Sequence, residues 1–371
     1  MTEEALMRRA NALARRGEGW VSPNPMVGAV LVKDGRIIGE GWHARCGDLH
    51  AERAALKSCT ESPRGAALFV TLEPCCHHGR QPPCTDAILQ AGIRRVVIGS
   101  RDPNPKVHGK GAALLRAAGV DVQEDFLRAE CDQLNPVFFH YITTRLPYVT
   151  MKYAMTADGK IATRTGASQW VTGEKARAHV QRLRHRHRGI LVGIGTVLQD
   201  DPLLTCRMAG GRNPVRIICD SRLDLPPDSR LCQTVQEAPV IVAAAGASPE
   251  KRAALEAKGV TVLDLPGPDG KVDLSALCRE LGKREIDSVL LEGGGTLNDA
   301  MLRAGLVQHV CAYLAPKLFG GAQAMTPVAG RGVDTPDDCI RLRRTGLLEL
   351  GEDLLLEFDV EKEGGPCSPV S

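Results

Sequence analysis

Short apolar runs bounded by glycine, proline or aspartate recur along this chain and alternate with helically spaced segments, and that alternation constrains the fold more than any other feature. Residues 3–16 have helical spacing. The stretch NPMVGAVLVKDGRIIGEGW then reads as a hairpin turning at Lys33-Asp34-Gly35. Helical spacing resumes over residues 50–57, where Ala51, Ala54 and Ala55 make a small-residue face able to sit close to a sheet. AALFVTLEP is a buried-type strand stopped by Pro74, residues 84–91 form a helix, RRVVIGS a strand, residues 110–118 a helix, and VDVQ a further strand. Strands and helices in this order predict a three-layer α/β domain.

A second series begins after a boundary near residues 135–147. PYVTMKYAMT, RGILVGIGTV, VRIICD, APVIVAAA, GVTVLDL, DSVLLEGGG, HVCAYLAP and EDLLLEFDV are all strand-like, with helical segments predicted at 174–185, 249–257, 274–281 and 298–304. The last strands lack long helices between them, so this second α/β sheet is expected to be mixed. The chain thus divides into domains at 1–145 and 146–360, followed by a polar, loose tail at 361–371. A length of 371 residues, too great for one ordinary core, agrees.

Composition narrows the classes. Hydrophobic residues make up 43% of the chain, as in a folded globular protein. A net charge of only +3 gives no reason to expect nucleic acid or a membrane surface as partner, although Arg182, Arg184, Arg186 and Arg188 form a local cluster suited to a phosphorylated small molecule. The N-terminus reads as an amphipathic helix and not a secretory signal, and no apolar run approaches the roughly 18 residues of a membrane span. The expected location is cytoplasmic. The 13 cysteines, an odd number without a short secreted-type framework, point to metal ligation or burial before disulfides.

Cys75 and Cys84 cluster with a histidine in the pattern. His50-Ala51-Glu52 opens a helix, Pro74-Cys75 ends a strand, and Cys84 opens another helix. One imidazole and two thiolates are the three protein ligands a catalytic zinc takes, leaving a fourth position for a water whose pKa the metal lowers. Glu52, two residues from His50 in a first helical turn, stands beside that position without being a ligand, as a general acid and base must. The arrangement matches the H-x-E and P-C parts of the zinc-deaminase signature, and the interval PCCHHGRQPPC lengthens its last part. Cys76 competes as a ligand, but neighbours on an extended segment face opposite ways, so one of Cys75 and Cys76 should look away. The rival reading is a structural zinc with four protein ligands, Cys76 or His77 filling the last place, which would leave Glu52 incidental.

PNPMVGAVLVKDGRIIGEGWH, HAE, TLEPCCHHGRQPPC and RDPNPKVHGKG, followed by KYAMTADGKIA, SQWVT, VGIGTVLQDDPLLTCR, EGGGTLNDA and YLAPKLFGG, cover nearly the whole chain, and in them it resembles the bifunctional riboflavin biosynthesis deaminase/reductase family. Cys76 and the Thr156-Ala157-Asp158-Gly159 segment depart from the family's usual serine and Ser-Leu-Asp-Gly. The resemblance implies a cytidine-deaminase-like first domain and a dihydrofolate-reductase-like second domain. It implies Zn2+ on His50, Cys75 and Cys84, catalysis by Glu52, and pyrimidine contacts at Asn24 and His43, with His77, Asp102, Asn104 and Lys106 in pocket loops. It implies NADPH near Ala154, Trp170, Thr196, Asp200, Ser221, Gly294, Gly295, Thr296, Leu297, Asn298, Asp299 and Ala300. The phosphorylated pyrimidine substrate falls near Ser168, Arg184, Leu204, Arg207 and Glu292, and the assembly implied is a homodimer or higher homo-oligomer through the second domain. Arg184 and Arg207 have an independent rationale, since guanidinium forks match phosphate oxygens. The glycines at 293–295, between a strand and a helix, allow close approach to a dinucleotide, although many strand–helix turns use glycine for conformation alone.

Two other enzymes and one binding protein compete with this reading. A nucleoside or nucleobase deaminase fused to an unrelated reductase would share the zinc chemistry and differ in substrate. A tRNA-editing deaminase would need an extended positive surface. A metal-stabilised regulatory protein would have a closed zinc site and oxidise no NADPH.

Overall fold

The computed structural model describes residues 1–78 and 81–361, so Gly79 of the PCCHHGRQPPC loop and nearly all of the tail expected at 361–371 lie outside the described residues. Two compact units divide at Leu146/Pro147.

The first unit runs α1 (Glu3–Ala14), β1 (Gly28–Lys33), β2 (Arg36–Trp42), α2 (Ala51–Lys57), β3 (Ala67–Leu72), α3 (Cys84–Gln90), β4 (Arg95–Ser100), α4 (Lys110–Ala117), β5 (Asp121–Gln123), α5 (Arg128–Asp132) and α6 (Pro136–Thr144). Thr2 caps α1 by accepting from the Ala5 amide, and Glu3 and Glu4 follow at the positive end of the helix. The hairpin turns where expected: Asp34 and Gly35 have φ of 48° and 75°, the double left-handed conformation of a tight two-residue turn. Sheet order is β2-β1-β3-β4-β5, antiparallel through β2, β1 and β3 and parallel from β3 to β5.

Its strands are apolar on both faces because both are covered. Val30, Phe69 and Val97 meet Leu6, Met7, Ala10 and Leu13 of α1, while Ala29, Leu31, Leu68, Val70, Val96 and Ile98 meet α2, α3 and α4. This is the expected three-layer arrangement. The alanine face of α2 lies so close to β2 that a Cβ on Gly41 would collide with backbone atoms of Ala51, Ala54 and Ala55. Residues 136–144, within the stretch read as a boundary, are a helix of the first unit, begun by Pro136 at its first turn.

The second unit contains β6 (Tyr148–Thr156), α7 (Glu174–Arg186), β7 (Gly189–Gly193), α8 (Ile194–Asp200), β8 (Val215–Cys219), α9 (Arg230–Gln233), β9 (Val240–Ala244), α10 (Pro249–Glu256), β10 (Thr261–Asp264), α11 (Leu274–Lys283), β11 (Ser288–Leu291), α12 (Gly295–Arg303), β12 (His309–Ala315), β13 (Leu342–Leu350) and β14 (Asp353–Val360). Sheet order is β10-β9-β8-β7-β11-β6-β12-β14-β13. Strands from β10 to β12 are parallel, whereas β14 is antiparallel to both β12 and β13, so the sheet is mixed as expected.

Three details differ from the sequence expectation. RGILVGIGTV is a strand only to Gly193, after which α8 begins, because Gly193 serves as N-cap. The last helix begins at Gly295, earlier than its apolar spacing indicates. β13 was not anticipated: its residues are almost all exposed, and LRRTGLLEL lacks the burial that makes a strand legible.

Candidate active sites

In the first unit the zinc constellation assembles from three chain segments. His50 is the N-cap of α2 and makes no capping bond with its side chain, which leaves the ring free. Cys75 follows the end of β3, and buried Cys84 is the first residue of α3. His50 Nδ1 lies 3.5 Å from Cys75 Sγ and 3.4 Å from Cys84 Sγ. Tetrahedral zinc with bonds of about 2.0–2.3 Å places its ligand atoms roughly 3.3–3.8 Å apart, so imidazole Nδ1 and the two sulfurs fit that ion in both chemistry and spacing. Among the described residues no fourth His, Cys, Asp or Glu joins this cluster. Cys76 turns away, its thiol 3.8 Å from the Lys106 carbonyl oxygen.

Glu52 is 4% exposed beside this cluster. Burial, reinforced by the Cys75 thiolate, pushes its carboxyl up to about 7. A hydrogen bond from the Cys84 side chain, together with His50, holds the Cys75 thiol well below the usual thiol range. His43 is buried, which favours its neutral form, and its Nδ1 donates to the Leu49 carbonyl at 3.0 Å. Nε2 is thereby an acceptor, and the Asn24 amide donates to it at 3.1 Å. The same imidazole stands edge-on to His50, with ring centroids 5.5 Å apart. Asp102, pushed up to about 6 by burial, accepts from the Asn104 amide at 2.8 Å, and Asn104 Oδ1 accepts from the Lys106 amide at 3.1 Å. These bonds shape the loop carrying those residues. His77 is half-buried, and its buried Nδ1 has no hydrogen-bond partner among the described residues.

Two residues here escaped the sequence reading. Glu73 is buried, and its carboxylate accepts from the amides of Gly109, Gly111 and Ala112 at 3.0, 3.0 and 3.2 Å. It ties the start of α4 to the strand end that carries Cys75. An acidic residue closing an otherwise apolar run was the available signal. Asn135 brackets Met26, accepting from its amide at 2.7 Å and donating to its carbonyl at 2.9 Å, and so fixes the segment carrying Asn24. Glu73→Ala is expected to destabilise the first unit by roughly 2–4 kcal/mol, since it strands three amide donors at a buried helix start. Urea unfolding of the full chain checks this, and an unshifted midpoint would rule out the clamp.

In the second unit the strand ends organise the candidate site. Thr196, Ser221 and Gly294 follow the carboxyl ends of β7, β8 and β11, which are neighbours in the order β8-β7-β11. Ligands of parallel α/β sheets bind at that edge. Gly294 is the N-cap of α12, which has no side-chain cap, and among the described residues the buried Oδ1 of Asn298 has no hydrogen-bond partner. Uncapped amides beside an orphaned polar atom fit a phosphate-bearing dinucleotide. Gly295 and Thr296 lie with Leu297 and Ala300 in α12, while Asn298 donates to the Pro327 carbonyl and Asp299 pairs with Arg303. Asp200 ends α8, and Ala154 packs from β6 against the core under α7. Ser168 is half-buried. Trp170 is 55% exposed, which removes core packing as its role, and its ring lies 4.9 Å from the Arg177 guanidinium carbon.

Arg184 and Arg207 part company. The Arg184 Nε and NH2 groups donate to the two Glu292 oxygens at 2.8 and 3.1 Å, and NH1 donates to the Thr205 carbonyl at 3.0 Å. Lys152 Nζ adds a contact with Glu292 at 3.9 Å. Arg184 is therefore committed inside the fold, whereas Arg207 is exposed and among the described residues bonds through its backbone amide, to Gln181. Leu204, at φ 52°, buries its side chain in the core between β7, β8 and β9, so it would reach a ligand only through its backbone.

Comparison with known proteins matches both units. The family model described as the RibD C-terminal domain covers residues 147–356, and that of the cytidine and deoxycytidylate deaminase zinc-binding region covers residues 1–100. A riboflavin biosynthesis protein RibD from Actinobacillus pleuropneumoniae is 51% identical over 97% of this chain and 96% of its own length. The Escherichia coli RibD is 42% identical over 86% of this chain and 89% of its own. A crystal structure from Thermotoga maritima, described as a diaminohydroxyphosphoribosylaminopyrimidine deaminase/5-amino-6-(5-phosphoribosylamino)uracil reductase, superposes with a TM-score of 0.85. It is 40% identical and covers 96% of this chain and 98% of that one. Acinetobacter baumannii RibD superposes with a TM-score of 0.87 at 34% identity over 97% and 99%. Among the described residues no helix is long and apolar enough to cross a membrane.

Proposed function

Because the chain belongs to the bifunctional riboflavin biosynthesis deaminase/reductase family, we propose that it converts 2,5-diamino-6-(5-phosphoribosylamino)pyrimidin-4-one to 5-amino-6-(5-phosphoribosylamino)uracil and then to 5-amino-6-(5-phosphoribitylamino)uracil. The observation that carries the reading is His50 Nδ1 with two cysteine sulfurs at 3.4 and 3.5 Å, beside buried Glu52. His50, Cys75 and Cys84 would hold Zn2+, which when bound supplies Lewis acidity that lowers the pKa of water toward neutrality.

Glu52 is the proton carrier. Buried beside the ligand cluster, it relays the two protons of water in turn, one to the ring nitrogen and one to the departing amine, which leaves as ammonia while the water oxygen becomes the ring carbonyl. Neutral His43 and the Asn24 amide bonded to it orient the pyrimidine. In the second unit the α12 amides from Gly294 onward, with Ala154, Trp170, Thr196, Asp200 and Ser221, would hold NADPH, whose chemistry is hydride donation to C1' of the opened ribose or its imine. The exposed Arg207 guanidinium takes the substrate phosphate, and Ser168, the Leu204 backbone and the Arg184–Glu292 pair shape that end of the site. The chain acts as a homodimer or higher homo-oligomer through this unit, a reading supported by Leu342, Leu347 and Leu348 exposed on outer strand β13.

Incubation with the diaminopyrimidine is expected to release ammonia without NADPH, and NADPH oxidation is expected once deamination has occurred. Cytidine should release none. Ammonia from cytidine would favour a nucleoside deaminase fused to a reductase, and a deaminated substrate that oxidises no NADPH would overturn the second half of the assignment.

A further inference from the structure

A second set of metal-type donors lies in the second unit, on strands that the zinc constellation does not involve. β12 and β14 pair antiparallel with His309 opposite Asp359 and Cys311 opposite Glu357, so all four side chains leave the sheet on one face. The donor atoms of His309, Cys311 and Glu357 all lie within 4.8 Å of one another. His309 Nε2 is 3.8 Å from Glu357 Oε1, while Nδ1 is 2.9 Å from Asp359 Oδ1. Asp359 is itself gripped by Arg343 at 2.6 Å.

That distribution is directional. A carboxylate on one ring nitrogen fixes the orientation of a metal-binding imidazole and leaves the other nitrogen to face the ion. An ion-pair network accounts for Glu357 and Asp359, and Cys311, 1% exposed, packs in the buried cluster under α7; its sulfur nevertheless comes within 4.8 Å of both the imidazole and the Glu357 donors, which packing alone does not require. The side chains of His309 and Glu357 are 19% and 29% exposed, so an ion can enter from solvent.

We propose that His309 Nε2, Cys311 Sγ and Glu357 form a second metal site, for a borderline divalent cation of the zinc and cobalt class, with Asp359 as the positioning residue for the imidazole. Nitrogen, sulfur and oxygen donors together select that class over magnesium or calcium, which take oxygen alone. A tetrahedral ion needs nitrogen–oxygen separations of roughly 3.3–3.5 Å, so binding would draw His309 Nε2 and Glu357 Oε1 together by a few tenths of an ångström from 3.8 Å. The ion would rivet β14 to β12, where the sheet changes from parallel to antiparallel. This site is independent of the reading of the first unit.

Cobalt titration of the full-length, metal-depleted Cys75→Ala/Cys84→Ala chain tests it. One equivalent is expected to bind with a thiolate-to-cobalt charge-transfer band, and adding Cys311→Ser should abolish the band. Should that background fail to fold, zinc content of the otherwise unaltered chain decides: Cys311→Ser or His309→Ala should each remove one equivalent. Cobalt that binds without a thiolate band, or zinc content unaffected by both substitutions, would mean that His309 serves an ion-pair network only and would overturn the site. Loss of zinc from Cys75→Ala/Cys84→Ala bears instead on the first unit, so the two failures are distinguishable.

Discussion

Replacing Glu52 with glutamine is expected to slow ammonia release by roughly 10²–10⁴-fold, the range for removal of a general acid–base group. Glutamine keeps the size and a hydrogen-bonding capacity in a site that is 4% exposed, but it cannot carry the proton between water, ring nitrogen and leaving amine. His50, Cys75 and Cys84 are unaltered, so the bound zinc should stay at the wild-type level. NADPH oxidation with predeaminated substrate should be unchanged. The measurements are ammonia release, metal content and the second-step rate on one preparation. Full turnover by the zinc-loaded variant would make the cluster a structural site and Glu52 incidental.

Glu292→Ala should have the largest effect on stability, a loss of roughly 3–5 kcal/mol from the second unit. The substitution leaves the Arg184 guanidinium and the Lys152 ammonium buried without their shared carboxylate. Hydrogen exchange on the full chain, read at β6 and β11, would show it, and unchanged protection there would mean the three charges contribute nothing as a network. The same group sets an acid limit. Burial alone would raise the Glu292 carboxyl, but Arg184 and Lys152 outweigh it and hold it at about 2, below an unfolded value of about 4.3. Because the folded value is the lower one, the stabilisation is complete above about 4.3 and is lost as pH falls toward 2. In the Glu292→Ala chain that part of the acid sensitivity should disappear.

The two α/β series were legible because strands covered on both faces must be apolar throughout: Val30 and Leu31, adjacent in β1, are both buried although they face opposite layers. β13 carries the opposite lesson. Its mostly exposed residues have no reason to form an apolar run, and only backbone pairing with β14 makes it a strand. Residues 136–144 were similarly hidden, since Asn135 and Pro136 punctuate like a linker while Asn135 in fact fastens Met26 across 109 residues of sequence.

By itself the sequence determined the number and kind of units and the chemical types assembled at His50, Glu52, Cys75 and Cys84, because burial periodicity and donor chemistry are carried by the residues themselves. Only the tertiary structure decided that Cys76 faces the Lys106 carbonyl, that Glu73 anchors α4, and that Arg184 belongs to Glu292, 108 positions away. The physical reason is the same in each case. A carboxylate or guanidinium has the same letter whether it meets solvent, ligand or an internal partner, and its pairing is set by the three-dimensional neighbourhood in which its desolvation must be offset.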